Sequence, residues 1–240
     1  MAKTARSARA TSPATAEPLT VMYLPDRCTT PFPFHIDLGV LTMPQFPRHT
    51  HHCFIELVLI FGGTSMHVTG GERYRIGAGD VFVLQGERDH GYEATENLYM
   101  SNVMYDAVAA GLPERYLTAM PGYQALFRVE PRVRERDLFR SRLRLAADAM
   151  SEAERLCQRM RDVQAAQKPG WEAEILADLT SLVVFLSRAY GDTREPSARR
   201  VYRMGHVLSV LESRPTEKWD LDTLSEMAHM SVNTFLRAFQ

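Results

Sequence analysis

Between Thr20 and Tyr105 the apolar residues come in short runs: Ile55 to Phe61, Ser65 to Val68, Tyr74 to Ile76, Val81 to Leu84 and Leu98 to Tyr105. Glycine-bearing breaks stand around them at Gly62-Gly63, Gly70-Gly71, Gly77-Ala78-Gly79 and Gly86. An amphipathic helix needs apolar residues three and four apart over about ten or more positions. Runs this short, cut by turn-forming residues, predict instead the strands of an all-β sandwich or barrel. After Pro113 the character changes. Pro113 to Ala119 reads as a short helix and Ala125 to Val129 as a short strand. From about Asp148 the spacing is helical, with Met150, Ala153, Leu156, Cys157, Met160 and Val163 on one side, and Lys168-Pro169-Gly170 ends that helix. A second helix follows from Trp171 to Tyr190, predicting an antiparallel hairpin. Its apolar faces either cover the barrel or meet a second copy of the chain.

The chain has 240 residues, about 1.6 times a domain of roughly 150 residues. Its 45% apolar content is enough for a core and excludes a wholly disordered protein. No apolar run approaches the roughly 20 residues of a membrane span, so no membrane partner is expected. The net charge of −1 gives no sign of a polyanionic partner by itself. Cys28, Cys53 and Cys157 show no CxxC spacing, which argues against a disulfide scaffold or a cysteine zinc site and for a cytoplasmic location. Residues 1–20 open without an apolar stretch and read as a disordered arm, not a secretory signal. Residues 191–200, polar and basic around Pro196, read as a linker. Beyond it Val201, Met204, Leu208 and Leu211 mark an amphipathic helix that stops at Pro215.

The richest chemistry lies at His49-Thr50-His51-His52-Cys53-Phe54-Ile55-Glu56 and at His90. In an extended chain His49 and His51 share one face, with His52 opposite. Three imidazoles and a carboxylate (His49, His51, His90, Glu56) can ligate a divalent first-row metal. They can equally bind the hydroxyls of a small polar molecule. His67 reads as a satisfied residue inside the barrel, and Cys53 as a small buried hydrophobe. The spacing His49-x-His51-x4-Glu56, then Gly63, then Gly79-x10-His90 resembles the two motifs of the cupin β-barrel. It departs from them at Gln85, Glu87 and Ala94, where those motifs carry proline, glycine and asparagine.

The C-terminal stretch from Trp219 predicts a helix-turn-helix. Asp220 caps a first helix whose inner side is Leu221, Leu224 and Ala228; His229-Met230 turns the chain; Ser231 caps a second helix with Phe235, Leu236 and Phe239 for packing. Such a unit presents its second helix to the DNA major groove. Asn233, Thr234 and Arg237 point outward, and arginine and asparagine suit guanine and adenine edges.

Barrel, hairpin, linker and the segment WDLDTLSEMAHMSVNTFLRAF together resemble the AraC/XylS family of transcription regulators. HVTGGERYRIGAGDVFVL and ENLYMSNVMY are similar to the rhamnose-operon activators within it. The resemblance spans about residues 30–240. It implies a cupin-like barrel followed by an α-helical hairpin, plus a partial all-α helix-turn-helix domain. The divisions would be an arm over 1–20, an effector-binding and dimerisation domain over 21–190, a linker over 191–200 and a DNA-binding portion over 201–240. It further implies a homodimer that responds to a small-molecule effector, a sugar such as rhamnose or another polar metabolite, and reads double-stranded DNA. The effector would be lined by His49, His51, Glu56, His90 and Tyr92, with no cofactor required although a divalent metal fits the same donors. DNA would be met by Ser231, Asn233, Thr234 and Arg237. Set against a family plan of two helix-turn-helix units, the chain is expected to stop inside the first and to bind DNA weakly. Residues 204–240 agree, with Arg214, Lys218 and Arg237 against Glu212, Glu217, Asp220, Asp222 and Glu226. The expected protein is not an enzyme. The alternative is a cupin metalloenzyme with a helical appendage.

Overall fold

The computed structural model describes residues 19–134 and 138–238. The arm expected over 1–20 lies outside them except for Leu19 and Thr20, and so does Phe239. Eight strands form one sheet: β1 (Thr20–Tyr23), β2 (Phe34–Leu41), β3 (Phe46–His52), β4 (Ile55–Thr69), β5 (Glu72–Gly77), β6 (Asp80–Leu84), β7 (His90–Tyr105) and β8 (Leu143–Arg144). β4 and β7 pair along their length, and each changes its second neighbour part-way. β7 pairs with β3 near His90 and with β2 from Leu98 onward. β4 pairs with β6 over Glu56–Leu59 and with β5 over Thr64–Thr69. The sheet therefore folds over on itself as a cupin-like barrel, but it stays open: among the described residues its terminal strands β1 and β8 do not pair with each other.

The run Ile55 to Phe61 is apolar throughout because both faces are covered. Leu57, Leu59 and Phe61 face outward into a cluster shared with the helices, together with Val81, Val83 and Val103. Val58 and Ile60 face inward with Phe82, Leu84, Tyr92, Leu98 and Met100. Each such side chain contributes about 1.5–3 kcal/mol of burial.

The Gly62-Gly63 pair, expected to be a turn, is not one. β4 runs straight through it, and the pairing with β7 shifts register between Ile60 and Met66. Two glycines read the same in sequence whether the chain reverses or bulges; the equally long β7 alongside makes this a bulge. Gly63 has φ +72°, and a Cβ there would stand 2.1 Å from the Asn97 carbonyl oxygen. The bulge also changes which face a residue occupies. Glu56 and Val58 point inward, and so does His67, although strict alternation from Val58 would turn an odd-numbered residue outward.

The helices are α1 (Glu114–Leu117), α2 (Pro121–Tyr123), a π-helical turn (Gln124–Val129), α3 (Glu130–Val133), α4 (Ala147–Ala166), α5 (Trp171–Gly191), α6 (Pro196–Ser213), α7 (Leu221–Met227) and α8 (Val232–Ala238). The strand expected over Ala125–Val129 is thus wide-turned helix. Ala125, Leu126, Phe127 and Val129 are all buried, and a run buried all round looks alike as strand or helix. α4 and α5 form the expected hairpin; α4 packs on β2 and α5 on α2 and the π-helical turn, and their apolar faces share one buried cluster with the outward residues of the sheet. One contact ties the hairpin to the sheet edge: the Gln164 amide accepts from the Ile36 N–H at 2.9 Å and donates to the Ile36 carbonyl at 3.2 Å.

α6 begins at Pro196, so within 191–200 only residues 192–195 lie outside a helix. It crosses the α2 turn closely, since a Cβ at Gly205 would stand 2.4 Å from the Pro121 carbonyl oxygen. Asp220 caps α7 by accepting from the Thr223 N–H at 2.7 Å. Val207, Ala228 and Phe235 form the small core beneath α7 and α8. Leu221 and Leu236, expected inside, are exposed.

Candidate functional site

Three strands bring the polar cluster together. β3 supplies His49 and His51 on one face, β4 supplies Glu56, and β7 supplies His90 directly opposite His49 in the cross-strand register. All four are buried. One potential ligand atom from each lies within 4.8 Å of those of the others. His51 Nε2 stands 2.7 Å from Glu56 Oε2, and His90 Nε2 stands 3.6 Å from the same oxygen. The ring centroids of His49 and His90 are 4.2 Å apart, and those of His51 and His90 are 4.6 Å apart. His52 faces away and is exposed, as the alternation requires. Cys53, expected to be buried, is exposed instead. It occupies the left-handed hinge between β3 and β4 at φ 61°, where the chain turns at the surface.

Burial alone would raise the Glu56 carboxyl; the imidazoles of His51 and His90 outweigh it and hold the acid well below the usual carboxylate range. His49 is pushed down to about 4, first by burial and then by His90. Its Nδ1 lies 3.1 Å from the Pro47 carbonyl oxygen, which can only accept, so in the neutral ring Nε2 carries the lone pair. Burial lowers His67 as well.

These shifts fix a pH dependence. Unfolded, His49 takes up a proton near its ordinary value of 6.5; folded, only near about 4. In that window the unfolded chain binds more protons, so stability falls as pH drops through it. Melting temperatures measured from about pH 7 to about pH 4.5 are expected to decline, and less steeply for His49→Gln. A flat profile would contradict the assignment.

A cavity of about 310 Å³ adjoins the cluster and is lined by His49, Glu56 and Tyr92, with Phe46, Leu38, Val40, Leu41, Met100 and Met104 as its apolar wall. The five residues expected to line a pocket are therefore gathered, three of them on the cavity and His51 and His90 behind. The sequence reading missed Arg27, Asp37, Asn102 and Met22, which also line it. Arg27 and Asp37 form an ion pair at 2.5 Å, and Asn102 Oδ1 is buried without a hydrogen bond. A signal was available for part of this: even-numbered β7 residues, Tyr92, Met100, Asn102 and Met104, all line the cavity. Arg27 carried none, because it lies in the irregular chain between β1 and β2.

His67 is fully buried, and neither ring nitrogen has a hydrogen-bond partner. The expected satisfied core histidine is thus buried but not satisfied. It stacks on Phe139 with centroids 5.6 Å apart, outside the four-residue cluster.

At the other end of the chain, Ser231 Oγ accepts from the Thr234 N–H at 3.3 Å and starts α8. Asn233, Thr234 and Arg237 are exposed on it. Arg203 Nε on α6 donates to the Ala228 carbonyl at 2.9 Å, holding the turn between α7 and α8.

Residues 41–183 match the model of the AraC-like ligand binding domain. The chain is 26% identical over 197 residues to the HTH-type transcriptional activator RhaS of Escherichia fergusonii, covering 81% of this chain and 66% of that protein. It is 24% identical over 198 residues to the activator RhaR of Salmonella dublin, covering 81% and 65%. A shorter stretch of 67 residues is 45% identical to RhaS of Klebsiella pneumoniae, covering 27% of this chain and 24% of that one. The chain thus spans no more than 66% of these relatives' length. All three are named as transcriptional activators, not enzymes. The solved structure of ToxT from Vibrio cholerae aligns at 8% identity and TM-score 0.33, over 86% of this chain and 93% of that one, too loosely to add to this. The likeness to the rhamnose-type activators seen in the sequence is borne out, and over residues 41–183 the chain belongs to the AraC-like ligand-binding domain family.

Proposed function

We propose that the chain is the sensing part of a transcription regulator that responds to a small polar effector, with residues 21–190 as the effector-binding and dimerisation domain and 201–240 as the DNA-facing part. The observation that carries this is the cavity: an apolar chamber in a ligand-binding family, with the buried His49, Glu56 and Tyr92 bordering its polar end. His51 and His90 hold Glu56 ionised from behind. Such a site orients a ligand by a few polar groups and excludes others by shape. Family membership and the activator relatives support the regulatory reading.

Effector binding switches such a protein only if it favours one arrangement of its parts over another. A second copy would dock on the outward side of the α4–α5 hairpin, since the inward side is buried. Double-stranded DNA would be met by Ser231, Asn233, Thr234 and Arg237. Their hydroxyl, amide and guanidinium groups suit phosphate positioning and base edges.

A sugar such as rhamnose is the first effector to test. Calorimetric titration of rhamnose and related sugars into the chain is expected to give one saturable site, weakened by Tyr92→Phe. No heat with any sugar, against a clear response to another metabolite, would sink the carbohydrate version.

A further inference from the structure

We infer that Cys28 and Cys53 form a thiol pair that a hydroperoxide oxidises to a disulfide. This is a modification site outside the effector cavity, and it stands independently of the effector reading above.

The first observation is where the thiols sit. Cysteine is among the residue types most often buried, and Cys157 follows that rule: it is fully enclosed, and burial pushes its thiol up to about 12. The other two do not follow it. Cys53 is exposed and Cys28 is half-buried. Both border one cleft of about 430 Å³, between the proline-rich approach to β2 and the hinge that joins β3 to β4. Tyr23, Leu24, Phe32 and Asp106 stand around them in its wall.

The second observation is that the backbone brings the two together. β1 runs parallel to β3 with Tyr23 opposite His52, so Leu24 and Cys53 leave the paired strands side by side. Cys28 then returns to the same point, its N–H donating to the Leu24 carbonyl at 3.1 Å. Its side chain packs on the small core of Leu24, Phe54 and Met104, and Phe54 follows Cys53 in the chain. A disulfide needs Cα atoms about 4.4–6.8 Å apart. The approach segment can supply the closure, because residues 27–33 belong to no strand or helix. The Cys28 thiol donates a weak sulfur hydrogen bond to the Phe34 carbonyl at 3.3 Å, which it can give up.

The chemistry takes two steps. The Cys53 sulfur attacks the peroxide and the O–O bond breaks, leaving a sulfenic acid on Cys53 and releasing an alcohol, or water from hydrogen peroxide. The Cys28 sulfur then attacks the sulfenic sulfur; the S–S bond forms and water leaves. Two thiols lose two electrons and two protons, and the peroxide takes up both. Burial raises the Cys28 thiol, so the exposed Cys53 reacts first. The bond pins the approach segment to the hinge. Arg27, next to Cys28, is pinned with it, and its ion pair with Asp37 stands on the effector cavity wall.

The test treats the full chain, dilute, with a small excess of hydrogen peroxide and digests it with trypsin without reduction. Cleavage after Arg27, Arg48 and Arg73 puts the two cysteines on separate peptides, 28–48 and 49–73. A product joining these peptides, lighter by the two thiol hydrogens and released by dithiothreitol, is expected. Cys157→Ser should leave it intact, whereas Cys28→Ser and Cys53→Ser should each abolish it. It should form about tenfold faster in the folded chain than in urea, where nothing holds the thiols together. Amides of residues 24–33 should then exchange about tenfold more slowly than in the reduced chain. Cys53 carried on to the sulfinic acid with Cys28 still free overturns the pair. So does a link between two chains that Cys28→Ser leaves unchanged, or an equal rate in urea. Unchanged amide exchange after oxidation overturns the pinning of Arg27.

Discussion

A Glu130→Ala chain is expected to lose about 3–5 kcal/mol of stability, the penalty for leaving one half of a buried ion pair behind. Arg134 is 2% exposed and Glu130 is fully buried. The guanidinium donates to Glu130 through Nη2 at 2.5 Å and Nε at 3.2 Å, and to the Val83 carbonyl on β6 at 2.6 Å. Its carbon lies 4.8 Å from the centroid of Phe139, the ring on which His67 is stacked. Removing the carboxylate strands a cation that cannot shed its proton, among aromatic rings beside the inner end of the barrel. In a chain of this size the melting temperature should drop on the order of 10 °C. The double variant Glu130→Met, Arg134→Met separates charge stranding from lost packing. It removes both charges at similar volume and should recover most of the loss. If the double variant is as unstable as the single one, the pair matters for its shape and not for its charge.

The second large effect is expected at Gly63. Gly63→Ala puts a Cβ against backbone atoms of Glu96 and Asn97, at 2.4 Å and 2.1 Å from their carbonyl oxygens. Backbone cannot rotate out of the way as a side-chain tip can. The left-handed conformation adds about 1–2 kcal/mol for any residue with a Cβ. The total should exceed 2 kcal/mol in urea denaturation, with β4 and β7 forced apart at the bulge. Gly39→Ala is the control: a Cβ there meets nothing within 4 Å, so its midpoint should stay close to that of the parent. Because the bulge decides which face the later residues of β4 occupy, Gly63→Ala should also disturb His67, whose ring proton shifts report its packing on Phe139. Equal stability for the two alanine variants would show that the strands accommodate a side chain at the bulge.

Much of this architecture was legible in the residues. Gly70-Gly71 and Gly77-Ala78-Gly79 do end strands, because each carries a residue with positive φ where the chain reverses. The period of α4 and α5 was legible because each helix has one buried face. The site was legible where local alternation decides it, in His49 and His51, and where motif spacing placed Glu56 and His90 together. Three things were not. The bulge at Gly62-Gly63 depends on the length of β7, some thirty residues away. The π-helical turn depends on being enclosed by α5 and α6, which an apolar pentapeptide does not record. The Glu130–Arg134 pair and the Arg27–Asp37 pair are long polar side chains in unpatterned segments, and their partners are set by the assembled fold.

The Gln164 amide has a consequence beyond holding a helix in place. The outer edge of β2 is an unpaired strand edge among the described residues, and an exposed edge offers its backbone to any passing extended chain. At Ile36 both backbone groups on that side are already occupied by a side chain shaped like a peptide unit. A strand arriving from another molecule would meet a gap in the ladder at that point. The helix thus acts as a stopper against sheet growth from one copy to the next, which helps such a chain remain dispersed at high concentration.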